Sequence, residues 1–351
     1  MKKSRTFDAV TGLKGICIVL IVFYHTLPQT TLIDKIPFTS FIRIYGGNLG
    51  NYMFFMISGF LIAYGYRDRI AARNISFGAF LMRRLQKLYP LYILSNLVML
   101  IGEVMAYGPS AIKLNKIVFT VLLQSGGGLE SMPPYNGATW FLSALFVCYI
   151  AYFFVAYSAK NRTSYRCFLC LGILWGYSQL IGGWNFPICF GRNGESFLTF
   201  FLGCALAEML PYLTQNVWKW LQPAAVLILA GSGFLLMRYG VEIISGDSRV
   251  AFAFLICPLV ICLAVGDNPI SRLLKLKPVL YLGKLSVSIY FWHAAIYNLF
   301  MHIYRTAAYG SELGSMQYLL YIVIMLILSA LSHRFLEGDK GIFAGKHFAS
   351  T

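Results

Sequence analysis

Acidic residues are scarce in this sequence, which contains 13 Asp and Glu among 351 residues and is only 12% charged overall. Soluble domains are about one quarter charged, so this deficit argues against a soluble globular protein. Linkers rich in Pro and Ser are also missing, although a soluble chain of this length usually divides into two domains. Apolar residues make up 58% of the chain. The composition therefore favours one membrane domain over residues 1–351.

Apolar runs long enough to cross a bilayer recur along the whole chain. Because a transmembrane helix needs about 20 apolar residues, we predict spans at 13–30, 49–66, 88–107, 138–158, 166–183, 195–213, 220–238, 250–266, 278–302 and 315–336. The expected fold is all-α, a polytopic bundle of about ten transmembrane helices. Its core covers about 5–337, and 338–351 form a short cytoplasmic tail.

Some local features qualify these spans. Pro28, Pro90 and Pro278 are expected at helix ends, where backbone bonds are already unsatisfied. Segment 115–128 is apolar but short and ends in glycines, which favours a re-entrant or interfacial segment. No cleavage site follows the first apolar run, so we read it as a retained helix rather than a signal peptide. No internal repeat is evident, which argues mildly against a transporter built from inverted halves.

Basic residues are unevenly distributed between the predicted loops. The net charge of +16 would indicate nucleic acid as a partner of a soluble protein. Here one set of loops holds 20 Lys and Arg and the opposite set holds 8. Such a bias keeps basic loops in the cytoplasm and predicts that both termini lie there. A nucleic-acid partner is therefore unnecessary, and the expected location is the cell (cytoplasmic) membrane.

The eight cysteines mostly lie within apolar runs. Cys167 and Cys170 form a C-x-x-C pair, but no second pair or nearby histidine accompanies it. We therefore interpret the cysteines as small packing residues and predict no metal site.

Polar groups at membrane depth are costly, so each one is a candidate for function. Lys14 and His25 are eleven residues apart in the first span, which places them about 16 Å apart and nearly on one helical face. A cation near the cytoplasm and a titratable base deeper in the membrane would suit a long anionic substrate. The alternative is an orientation charge at Lys14 and an interfacial role for His25. Periodicity alone does not decide between them.

Other candidate functional residues lie in three segments. The Ser58-Gly59 pair within Phe54–Ile62 fits close helix packing better than substrate contact. Basic residues in the loop that opens the third span are suited to phosphate, although orientation explains them equally well; they are Arg83, Arg84 and Lys87. Trp140, which begins a Trp-Phe-Leu-Ser sequence ending at Ser143, is also typical of a membrane interface.

The remaining candidates are a second intramembrane histidine, His293, next to Trp292, and two carboxylates near the membrane, Glu195 and Glu208. At the end of the last span, an Arg334–Glu337 pair at i, i+3 is expected to be stable without any functional role.

Taken in order, these segments resemble the acyltransferase 3 family of membrane acyltransferases, from about residue 5 to residue 337. A basic residue, ten others and a histidine match at Lys14 and His25; Phe54–Leu61, Trp140–Ser143 and Tyr290–His293 match further pieces. The sequence departs from the family where Lys14 replaces a frequent Arg and where Lys87 replaces the second Arg of an Arg-x-x-Arg piece. Because Lys cannot bind a phosphate through two parallel N–H donors as Arg does, Lys87 weakens the argument for a bidentate phosphate site here.

The resemblance implies transfer of an acyl group, usually acetyl, from cytoplasmic acyl-CoA to a hydroxyl outside the membrane, with no bound cofactor. The acceptor would be a cell-surface glycan or its lipid-linked precursor. It implies His25 as general base. Four basic residues would bind the donor: Lys14, Arg83, Arg84 and Lys87. The candidates for lining the cavity are Asp8, Ser58, Trp140, Ser143, Glu195, Trp292 and His293.

A transporter or flippase for a glycan precursor is the main alternative, because it would use the same basic, aromatic cavity without His25 as a base. Other acyltransferase families fit less well. The soluble His-x4-Asp motif is absent, since Thr30 stands where the Asp would be. The membrane-bound O-acyltransferases do not have the ordered pieces found here.

Overall fold

The computed structural model describes residues 7–26, 39–126, 133–183, 193–239, 248–307 and 313–337. Over these residues the chain is almost entirely helical, and no strand is formed there. Ten helices dominate: α1 Asp8–Thr26, α2 Gly47–Ala71, α3 Phe77–Tyr107, α4 Trp140–Ser158, α5 Arg162–Gly182, α6 Asn193–Met209, α7 Gln215–Tyr239, α8 Ser248–Val265, α9 Lys277–Ala307 and α10 Ser315–Ser332.

Each helix coincides with one predicted span, so the all-α class is confirmed. Seven of the ten are long and apolar enough to cross a membrane: α1, α3, α4, α7, α8, α9 and α10. The other three, α2, α5 and α6, pack against one another in pairs, α2 on α6 and α5 on α6. Ten crossings and cytoplasmic termini stay predictions.

Helix α3 begins eleven residues before the predicted span. Ser76 caps it, because its hydroxyl accepts a hydrogen bond from the Ala79 amide at 3.3 Å. The basic segment predicted as a loop, 83–87, therefore lies inside α3. Pro90 also lies inside α3 rather than at an end, which membrane helices tolerate where neighbours satisfy the freed carbonyl. Pro278 is the second residue of α9, whereas Pro28 lies outside the described residues.

Helices α2 and α6 approach until backbone meets backbone. A Cβ placed on Gly59 would lie 2.0 Å from the Phe200 carbonyl oxygen, and one on Gly203 would lie 2.0 Å from that of Met56. Small residues permit this approach in membrane helices, where dispersion contacts drive association. The packing role predicted for the Ser58-Gly59 pair is confirmed at Gly59.

Helices α1 and α9 pack side by side and run parallel. A Cβ on Gly15 would lie 2.8 Å from the Val279 carbonyl oxygen, and one on Gly283 would lie 1.8 Å from that of Thr11. Further along both helices, His25 meets His293. His25 follows Gly15 by ten residues in α1, and His293 follows Gly283 by ten residues in α9. The two helices therefore keep a constant register over this length.

The segment predicted as re-entrant or interfacial contains a short helix, Leu114–Val121. Two hydroxyls of α3 hold its C-terminal turn: Tyr92 donates to the Thr120 carbonyl at 2.8 Å and Tyr89 to the Val121 carbonyl at 2.7 Å. Residues 127–128 lie outside the described residues, and the membrane depth of the segment stays a prediction.

Most described cysteines pack as expected. Cys17, Cys148, Cys204 and Cys257 are buried. Cys167 and Cys170 instead lie on an exposed face of α5.

Candidate active site

A cavity of about 300 Å³ lies between α1, α2, α3, α4 and α9. All four residues predicted to bind the donor are on its lining: Lys14, Arg83, Arg84 and Lys87. Ser58 also lines it. Its other walls are mainly apolar and aromatic, including Phe54, Tyr149 and Tyr290. One cavity therefore combines four cations with an apolar interior, which suits a ligand with a polyanionic end and a less polar arm.

Arg84 is held by aromatic rings rather than left open to a ligand. Its guanidinium carbon lies 3.7 Å from the ring centre of Phe80, 4.2 Å from that of Tyr66 and 5.5 Å from that of Tyr149. It also donates to the Phe80 carbonyl, and the residue is only 8% exposed. A desolvated cation over ring faces is a stable arrangement. Arg84 thus forms part of the wall.

The other three cations are more accessible. Lys14 and Arg83 are half-buried and Lys87 is exposed. Arg83 and Lys87 are four residues apart on α3, so they lie on one face. Lys14 reaches the cavity from α1. These three side chains keep donor groups that are not committed to an aromatic cage.

His25 lies at the other end of α1, where it pairs with His293 of α9. The two imidazole ring centres are 5.3 Å apart with the planes tilted by 40°. His25 is exposed and His293 is fully buried. Neither is among the described residues that line the cavity. Tyr290 does line it, and the Tyr290 ring centre is 5.7 Å from that of His293. Tyr290 therefore contacts both the cavity and the histidine pair.

The hydrogen bonding of His293 fixes its tautomer. Its Nδ1 is 2.8 Å from the Tyr290 carbonyl oxygen. Since a carbonyl oxygen only accepts, Nδ1 carries the proton and Nε2 of the neutral ring carries a lone pair. Among the described residues, no side chain or backbone group hydrogen-bonds to this buried Nε2. His293 therefore presents a proton-accepting nitrogen beside His25.

Three hydrogen bonds tie the turn of α9 around His293 to the segment that precedes α4 and to α10. The Tyr290 hydroxyl donates to the Ala138 carbonyl. The Asn136 amide donates to the Phe291 carbonyl at 2.9 Å, and the Tyr321 hydroxyl donates to the His293 carbonyl at 3.1 Å. These bonds hold the turn that carries the ring, which is how a scaffold preorganises a reactive group.

The sequence predicts only an ion pair with Arg334 for Glu337, but the structure places its carboxylate against α9. Its side chain is only 2% exposed. It accepts a hydrogen bond from the Ser288 hydroxyl at 2.5 Å and lies 3.6 Å from His333 Nδ1. A π-helical turn, His333–Glu337, continues α10 and brings the carboxylate to α9. The one sequence signal for a functional role of Glu337 is that a carboxylate lies close to the membrane. The i, i+3 spacing indicates an ion pair with Arg334 instead.

The remaining predicted residues lie away from the cavity lining. Trp140 packs on Phe55 with ring centres 6.1 Å apart, Trp292 donates to the Ser332 hydroxyl at 2.7 Å, and Ser143 is buried in α4. Glu195 lies 3.9 Å from Arg249. Asp8 is exposed in the first turn of α1. The functional roles of all these residues stay predictions.

Metal ligands are not clustered in the part of the chain that the structure describes: no three His, Cys, Asp or Glu residues are grouped there so as to hold an ion.

Proteins similar to this chain include two from Staphylococcus aureus. The O-acetyltransferase OatA of strain NCTC 8325 is 23% identical over 368 residues, and the match covers 96% of this chain and 57% of OatA. A putative O-acetyltransferase of strain COL is 22% identical over 367 residues, with the same shares covered. The chain thus spans somewhat over half the length of these relatives.

No solved structure is similar enough to match this chain. The sequence profile of acyltransferase 3, described as an acyltransferase domain, matches residues 7–334. Together with the apolar helices, this match identifies a multi-pass membrane protein. The chain belongs to the acyltransferase 3 family.

Proposed function

We propose that this protein is an integral-membrane O-acetyltransferase. It would move an acetyl group from cytoplasmic acetyl-CoA to a hydroxyl of a cell-surface glycan or its lipid-linked precursor. The observation that carries the proposal is one arrangement: four cations of α1 and α3 share a cavity, and Tyr290, which lines that cavity, contacts His293, the neighbour of His25. Family membership and the two O-acetyltransferase relatives support the reaction class and favour it over a transporter.

In this proposal the phosphates of the donor bind Lys14, Arg83 and Lys87, while Arg84 shapes the wall. A cavity of about 300 Å³ is at the lower limit for small-molecule sites, so it takes the pantetheine arm and leaves the nucleotide at the mouth. Lys14 and His25 belong to one uninterrupted helix. They are therefore separated by about 16 Å along its axis, a distance that a pantetheine arm can bridge.

His25 serves as the general base. It takes the proton of the acceptor hydroxyl as the oxygen attacks the thioester carbonyl carbon, and a carbon–oxygen bond forms. The tetrahedral intermediate then breaks its carbon–sulfur bond. The leaving thiolate takes the proton from the His25 imidazolium, which regenerates the base and releases free CoA. The products are one acetyl ester and one thiol, so protons and charges balance.

His293 is the positioning residue for this base. Its protonated Nδ1 is held by the Tyr290 carbonyl, so Nε2 can accept the N–H of His25. That hydrogen bond would leave the second nitrogen of His25 unprotonated and facing the acceptor. It would also stabilise the imidazolium that forms during the attack, as the orienting carboxylate does in a serine protease triad.

The test uses inside-out vesicles from bacterial cells that produce the protein, supplied with [¹⁴C]acetyl-CoA on the exposed cytoplasmic face. Wild type should place label in membrane-bound esters that mild alkali releases as acetate. His25→Ala should lower this transfer by a factor of about 10² to 10⁴, the usual contribution of a general base. His302→Ala, on the same side of the bundle, is the matched control. Undiminished transfer by an inserted His25→Ala protein would remove His25 from the mechanism.

A further inference from the structure

A second cluster of charged residues lies away from the cavity, where α2, α5 and α6 end or begin. Glu208 of α6 has a side chain that is only 8% exposed and is surrounded by three arginines. Its carboxylate oxygens lie 3.0 Å from Arg166 Nη2 and 3.9 Å from both Arg162 Nε and Arg67 Nε. Pairing explains why a buried carboxylate is tolerated. It does not explain why three cations are present.

The arginines have more capacity than Glu208 can use. Asp68 neutralises part of the excess through Arg67, at 2.8 Å, which leaves the cluster with one more positive than negative charge. Arg162 and Arg166 are 51% and 46% exposed, one helical turn apart on α5. Each guanidinium carries five N–H donors. Together the three guanidiniums carry more N–H donors than one carboxylate can accept.

A tyrosine hydroxyl brings the two exposed arginines together. Tyr212, just after α6, accepts hydrogen bonds from Arg162 at 2.9 Å and from Arg166 at 2.6 Å. Arg166 also donates through Nε to Glu208 at 3.1 Å. The two guanidiniums are therefore held on the same side of the α5–α6 pair, which is the arrangement that binds a phosphate group with several charge-assisted hydrogen bonds.

An apolar groove begins at Arg166 and continues between α5 and α6; Arg162 adjoins it through its hydrogen bond to Tyr212. The cavity has a volume of about 530 Å³. Arg166, Glu208 and Tyr212 form its polar end, and the remaining lining is apolar except for one thiol: Leu169, Cys170, Ala205, Met209 and Leu213. Cys170 and Met209 are exposed, so the groove faces outward, where lipid covers a membrane protein.

We propose that this groove binds one anionic phospholipid. Its phosphate would contact Arg162 and Arg166, and an acyl chain would lie between α5 and α6. The single excess positive charge matches one phosphodiester, and the apolar walls match an acyl chain. Arg162 begins α5 and belongs to one of the basic segments predicted to be cytoplasmic, where anionic lipids provide a negative surface. This proposal is independent of the acetyl-transfer chemistry.

Native mass spectrometry of the full chain tests the proposal, with palmitoyl-oleoyl phosphatidylglycerol and phosphatidylcholine titrated separately. Wild type should bind one phosphatidylglycerol at least about tenfold more tightly than phosphatidylcholine, as expected for one charge-assisted contact pair. The double variant Arg162→Gln/Arg166→Gln should lose that preference. Arg272→Gln/Lys275→Gln removes an exposed basic pair elsewhere and should keep it.

Two further measurements test whether a free phosphate compound binds instead of a lipid, and whether loss of binding reflects misfolding of the arginine variant. Ala205→Phe fills the groove with the arginines intact and should weaken phosphatidylglycerol binding about tenfold. Glycerol 1-phosphate should compete poorly, since it has no acyl chain. The proposal is overturned if the arginine variant keeps its lipid preference, if the control pair loses as much, if Ala205→Phe binds like wild type, or if glycerol 1-phosphate binds as tightly as the lipid.

Discussion

His25 and His293 lie 5.3 Å apart between ring centres, ten residues beyond the point where Gly15 and Gly283 bring the backbones of α1 and α9 into contact. The glycine contacts set the distance between the helices, and the constant register sets which side chains meet ten residues further along. The relation of the two histidines is thus a consequence of packing that lies earlier in both helices.

The first prediction concerns His293. His293→Leu should lower kcat by about 10²-fold, the lower end of a proton-transfer contribution, with little change in KM for acetyl-CoA. His293→Gln should recover part of that loss, because its amide oxygen can accept the His25 N–H. Steady-state kinetics in vesicles measure both constants. Equal losses in the two variants, or a loss confined to KM, would contradict a positioning role.

The second prediction concerns Lys14. Lys14→Glu should raise KM for acetyl-CoA by about 10- to 100-fold, since a hydrogen bond to a charged group contributes about 1.5–3 kcal/mol. Lys14→Arg keeps the cation and should retain substantial activity. Donor titration at saturating acceptor measures the change. If Lys14→Glu behaves like wild type, the phosphates bind elsewhere.

Arg84 provides a prediction that separates a wall residue from a ligand. Arg84→Lys keeps the charge but loses the planar stack on Phe80 and Tyr66. It should lower the free energy of unfolding by about 1–2 kcal/mol, the value of a desolvated cation–π contact. Arg83→Lys, at a half-buried neighbour, should leave stability unchanged. Thermal unfolding in detergent compares the two variants. Equal unfolding midpoints would show that the rings around Arg84 do not stabilise the protein.

Gly59 supplies the stability prediction. A methyl group there would overlap the Phe200 carbonyl, so Gly59→Ala should destabilise the protein by about 1–3 kcal/mol through overpacking. Gly65→Ala is the control on the same helix, because nothing lies within 4 Å of its Cβ position. It should be neutral or slightly stabilising, since Ala favours helix. A Gly59→Ala protein as stable as the control would disprove the close contact.

The positions of the helices could be predicted because apolar runs record burial in lipid directly. Their ends were less predictable: α3 begins at Phe77 through a serine cap rather than at the first apolar run. The cavity residues could be anticipated because Lys14, Arg83 and Lys87 are cations close to spans. Pairing between distant helices leaves no local trace, so neither the contact of His25 with His293 nor that of Ser288 with Glu337 could be predicted.

The glycine contacts between α1 and α9 also have a mechanical consequence. Two helices joined backbone to backbone cannot slide or tilt independently without breaking several contacts at once, so they should move as a rigid pair. Any motion that opens the cavity to admit a donor or release a product would then have to come from α2, α3 and α4, which form the other wall of the cavity. The histidines would stay fixed while the rest of the chamber opens around them.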